Sequence, residues 1–163
     1  MSERELLTST TTLDAARARV VVAVSDSPSG QAALRYAVGE AVRRNASLHL
    51  VRVWREIGRL YSLSRSEASR LHADERAEEA VLAHAVDRAR SIAPELAVVF
   101  DFIPGDLYRA LEAAARGADL VVVGAGSPEH SSYLIGRWCE RHLHVPVSVV
   151  PAPTDAPIVQ TAS

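Results

Sequence analysis

Five short apolar runs alternate with stretches of helical spacing along this 163-residue chain, and that alternation limits the folds open to it. The runs cover residues 20–24, 48–54, 97–103, 120–123 and 147–150. A continuous run of this length, bounded by helical segments, marks a strand buried on both faces of a parallel sheet.

Between the runs the spacing changes to that of a helix. Ala33, Leu34, Ala37, Val38, Ala41 and Val42 form one stripe after the turn residues SDSPSG, and Arg43, Arg44 and Asn45 close it. A second helix is expected over about residues 66–91, with its stripe confined to Val81, Leu82, Ala85, Val86 and Ala89. Its first half is mostly polar and is expected to project partly into solvent, Glu75, Glu78 and Glu79 with Arg76 forming a solvated face. Pro94 breaks it. The turn Pro104-Gly105-Asp106 supplies a capping Asp for a helix with Leu107, Ala110, Leu111, Ala114 and Ala115 on one face. A fourth helix spans about residues 133–142.

Right-handed crossovers leave few ways to join these pieces. The simplest is one α/β domain of three layers, a doubly wound five-stranded parallel sheet over residues 19–151. Residues 1–18 read as a flexible arm. Residues 152–163, rich in Pro and small polar residues, read as a disordered tail.

Composition narrows the function classes. The chain is 48% hydrophobic, enough to bury a core at this length. A net charge of -2 offers no electrostatic footprint for nucleic acid or an anionic membrane. All 18 basic residues are Arg, so a phosphate-binding lysine or a Schiff base is excluded. The single Cys139 cannot form an internal disulfide, which fits a reducing compartment. The N-terminal residues lack the apolar stretch of a signal peptide, and no segment approaches the roughly 20 apolar residues that cross a bilayer. A cytoplasmic location is the expectation.

Ligands of doubly wound sheets bind at the carboxyl ends of the strands, where the strand order reverses. Three segments fall there: Ser25-Asp26-Ser27, Val53-Trp54 and Gly124-Ala125-Gly126-Ser127. Glycines after a strand let the backbone approach a phosphate, or simply make a turn. Asp26 suits ribose hydroxyls, or a helix cap.

These segments carry a resemblance. VVVAVSDSPSGQAALRYAVGEAVRRNASLHLVRVW resembles the opening of universal stress proteins. GDLYRALEAAARGADLVVVGAG and CERHLHVPVSVVP resemble their middle and closing signatures, so the likeness covers residues 19 to 151. It implies a Rossmann-like sheet of the adenine nucleotide alpha hydrolase type, a homodimer paired through the last strand, and a stress-response role by binding or regulation. Enzymatic activity is implied at most as a slow ATPase. Family members that bind ATP carry Gly, two residues, Gly, nine residues, Gly, then Ser or Thr. Here Gly124 and Gly126 are one residue too close, and Arg137 follows Gly136 where a hydroxyl belongs. A register aligned on Cys139 and Val145-Pro146 places the third glycine near Tyr133 instead. The altered loop implies weak ATP binding or none. In the alternative, ATP with Mg²⁺ is held by Asp26 at the ribose, Val53 at the adenine, and Gly124, Gly126 and Arg137 at the phosphates, with Ser25, Ser127 and Gly136 as further residues of the nucleotide site.

Other chemistries fit less well. Cys139, His142 and His144, with His130, do not follow a zinc spacing. Ser25 lacks the GxSxG frame of a hydrolase nucleophile. Asp101 and Asp106 suggest a receiver-type phosphoacceptor, but the fifth strand has no Lys. Trp54, Tyr61 and Trp138 could line a pocket or sit in the core.

Overall fold

A computed structural model describes residues 18–54, 65–126 and 133–154. The strands are β1 (Arg19–Ala23), β2 (Ser47–Trp54), β3 (Val98–Pro104), β4 (Leu120–Gly124) and β5 (Val147–Val150). The helices are α1 (Pro28–Arg43), α2 (Arg65–Ile92), α3 (Leu107–Ala115) and α4 (Tyr133–His142). All strand pairs are parallel and the order is β3-β2-β1-β4-β5. This is the doubly wound sheet expected from the sequence.

The strands form because both faces of the sheet are covered. Val20, Val22, Leu48, Leu50 and Val122 pack under α1 and α2, while Val21, Val51, Val121 and Val123 pack under α3 and α4. Each of these side chains is fully buried. That two-sided burial is why the strands read as unbroken apolar runs rather than alternating ones. β3 and β5 lie at the edges, and Phe100 on β3 is 51% exposed.

Strand ends differ slightly from the apolar runs, for local reasons. β1 stops at Ala23, because Val24 gives its N–H to Val51 while its carbonyl accepts from the Arg52 guanidinium. β2 starts one residue early, since Ser47 donates to the Ala18 carbonyl.

Two expectations change. Ser27, not Asp26, caps α1, its hydroxyl accepting from the Gly30 amide at 3.1 Å. Asp26 stands exposed beside it. Glu78 does not belong to a solvated face: it is half-buried and pairs with Arg52 of β2. The exposed residues 69, 70, 73, 74, 76 and 77 otherwise match the expected polar projection of α2. Asp106 caps α3 as read, accepting from the Tyr108 amide at 2.9 Å.

Cys139 is buried among α3, α4 and the sheet. Burial, aided by the nearby Glu140 charge, pushes its thiol from 9.0 up to about 11. The thiol therefore stays protonated near neutral pH and acts as a small apolar side chain.

Candidate ligand crevice

The strand order turns between β1 and β4: β2 and β3 lie on one side of that pair, β5 on the other. The chain leaves β1 towards the α1 face and leaves β4 towards the α4 face, so a crevice opens at their carboxyl ends. Ser25, Asp26, Gly124 and Gly126 are at this crevice.

Its two walls touch. A Cβ on Gly124 would lie 2.9 Å from the Gly30 nitrogen and 2.9 Å from the Ser29 hydroxyl, and a Cβ on Gly30 would lie 2.5 Å from the Ser25 Cβ. Gly124 is thus required by the close packing of β4 against α1, and Gly30 by that of α1 against Ser25 after β1, whatever the site binds. Gly126 has φ +68°, a left-handed conformation that glycine adopts without strain.

Hydrogen bonds then occupy the crevice donors. Gly126 gives its N–H to the Ser29 hydroxyl at 3.1 Å, and Ala125 gives its own to the Val150 carbonyl at 2.7 Å. Gly30 and Gln31 donate to the hydroxyl and carbonyl of Ser27. Ser25 and Ser27 hydroxyls lie 2.8 Å apart, and Ser27 and Ser29 3.4 Å apart. Three alternate serines therefore join the start of α1 to the glycine loop. Ser29 is 3% exposed, a buried polar group fully used. Sequence reading missed it. The only signal was the Ser-x-Ser-x-Ser spacing, which reads as ordinary turn chemistry until β4 is brought alongside.

The remaining candidates are spread out. Val53 is half-buried at the end of β2 and packs with the α3 and α4 side. Gly136 sits within α4 under β5, where a Cβ would lie 2.9 Å from Val149, so packing accounts for it. Arg137 is exposed on the same helix. Ser127 lies outside the described residues, as do His130 and Tyr61.

Other groupings point away from the crevice. Asp101 is on the edge strand β3 and lies 2.7 Å from His49 Nε2, while Asp106 is engaged as a cap. Neither stands where a receiver-type acceptor would. Among the described residues no group of three or more His, Cys, Asp and Glu could hold a metal ion. His142 instead stacks on Trp138, with ring centres 4.9 Å apart. Trp54 stacks on Phe102 towards the α2 side, so the two tryptophans do not share a pocket. No described helix is long and apolar enough to cross a membrane.

The chain matches the model of the universal stress protein family over residues 17–151. A universal stress protein family member from Burkholderia pseudomallei is 27% identical with a TM-score of 0.61, covering 83% of this chain and 97% of its own. The universal stress protein UspA from Lactobacillus plantarum is 23% identical with a TM-score of 0.59, covering 82% and 97%. An Arabidopsis thaliana family protein solved with AMP bound is 19% identical with a TM-score of 0.58, covering 85% and 94%. No curated protein matches the chain.

Proposed function

Because the chain belongs to the universal stress protein family, we propose that it is a non-catalytic stress-response module of the cytoplasm that holds ATP weakly or not at all. One observation carries this reading: the amides of Gly126 and Gly30 already donate to the Ser29 and Ser27 hydroxyls. A triphosphate would have to displace those hydroxyls to use the same donors. Each amide-to-phosphate bond forgone withholds about 1.5–3 kcal/mol, so two together weaken binding by a factor of about 10² or more. The chain also lacks the hydroxyl after Gly136 that the ATP-binding pattern carries.

Equilibrium dialysis with ATP and Mg²⁺ tests the reading. Dissociation constants in the millimolar range or above are expected, and micromolar binding would overturn it. Its dimer is formed through β5, whose four residues are all half-buried at a sheet edge with one side unpaired among the described residues. Sedimentation should give a dimer at micromolar concentration. A strict monomer would remove this part of the reading.

A second reading keeps a nucleotide, with Asp26 at the ribose, Val53 at the adenine, and Gly124, Gly126 and Arg137 towards the phosphates. The Arabidopsis relative with AMP bound favours it. The exposed carboxylate of Asp26, without a partner among the described residues and released from capping by Ser27, fits a sugar. A slow ATPase is its enzymatic extension.

A further inference from the structure

On the α3 face of the sheet, Arg19 Nε, Ser47 Oγ and His49 Nδ1 are buried with no hydrogen-bond partner among the described residues. Register brings them together. Arg19 of β1 pairs with Ser47 of β2, and His49 follows Ser47 by two positions. All three side chains therefore leave the face that Val21 and Val51 present to α3 and α4. Neighbouring strands lie about 5 Å apart and alternate residues of one strand about 7 Å apart, so the three side chains start as near neighbours. Ser47 is 1% exposed and His49 8%.

Bonds made elsewhere hold two of these groups in place and set what each can offer. The Arg19 guanidinium is tied to the end of α3, where one of its nitrogens donates to the Ala114 and Arg116 carbonyls at 2.8 and 2.6 Å. Its Nε–H can only donate. His49 Nε2 lies 2.7 Å from an Asp101 carboxylate oxygen. A carboxylate only accepts, so Nε2 carries the proton and Nδ1 of the neutral ring is an acceptor. The Ser47 hydroxyl can do either.

We propose that these three groups bind one internal water molecule. It accepts from Arg19 Nε–H, donates to His49 Nδ1, and makes its third hydrogen bond with Ser47 Oγ. About three bonds to otherwise unsatisfied polar groups is the usual coordination of a buried water. The donor pattern selects it over other occupants. An anion only accepts and would leave Nδ1 unmet. A metal cation would face the Arg19 charge. An apolar group would leave all three atoms bare, which is costly in the interior. The bound water holds His49 in its Nε2–H tautomer and connects the start of β1, through that ring, to the exposed Asp101 carboxylate on the edge strand β3.

A high-resolution crystal structure of the full chain, with a second crystal soaked in bromide, tests this. One density peak within hydrogen-bond distance of all three atoms is expected, and bromide should not replace it. No density there, direct protein partners for these atoms, or a bromide peak at the position overturns the proposal. Magnetic relaxation dispersion of water oxygen reads the same site in solution. Ser47→Val puts a methyl group where the hydroxyl was, and should lose one long-lived water relative to the unaltered chain while keeping its circular dichroism spectrum. Equal numbers of long-lived waters in the two chains overturn the proposal. If Ser47→Val does not fold, the crystals of the unaltered chain decide.

Discussion

Replacing Gly30 with alanine is expected to lower stability by about 2 kcal/mol, read as a shift of the urea midpoint. The added methyl would meet the Ser25 Cβ at 2.5 Å and the Ser25 carbonyl oxygen at 2.7 Å. Neither atom is the end of a flexible side chain, so α1 or the end of β1 must move. Glycine to alanine inside a helix normally gains about 0.8–1 kcal/mol, so the clash has to exceed that gain. Gly39 separates the two effects. It lies in the same helix with nothing within 4 Å of an added Cβ. Gly39→Ala should therefore stabilise by about 0.8 kcal/mol. Opposite signs at the two glycines would show that close approach, not helix propensity, selects Gly30. Stabilisation at both would refute the packing described for the crevice wall.

The second large effect lies in the sheet. Leu50→Ala is expected to cost about 3 kcal/mol, since it empties a site enclosed on all sides. Leu50 is fully buried under α1 and α2, in the strand between β1 and β3. Its register partner Phe100 provides the contrast, being 51% exposed on the edge strand. Phe100→Ala should cost about 1–2 kcal/mol despite removing a larger side chain, because about half of that ring's apolar area stays in water on folding. Thermal or urea unfolding of the two variants reads the difference. A larger loss at Phe100 than at Leu50 would contradict the placement of β3 at the edge.

Much of this architecture was legible in the sequence. Strands with both faces covered leave runs such as Val20 to Val24, and α1 and α3 keep clear one-sided stripes. The edge position of β3, with Phe100 and Asp101 exposed, was not legible, since its run reads as one more strand buried on both faces. What could not be read depends on contacts between distant segments. Asp26 and Ser27 are both good caps, and only the geometry of the first turn chose Ser27. Glu78 looked like one more charge on a polar helix until Arg52, 26 residues away, came within reach. The glycine loop could be counted but not wired. Ser29 lies 97 residues from Gly126, and no local pattern announces that its hydroxyl takes that amide.

The proposal that the phosphate donors are already in use is tested most directly at those amides. Nitrogen–proton correlation spectra, recorded while ATP and Mg²⁺ are titrated in, follow the Gly126 and Gly30 N–H groups one by one. Both resonances should stay in place at micromolar ligand, and Ser29→Ala should move the Gly126 signal without any nucleotide present. Saturable shifts of both amides at micromolar ATP would contradict the proposal.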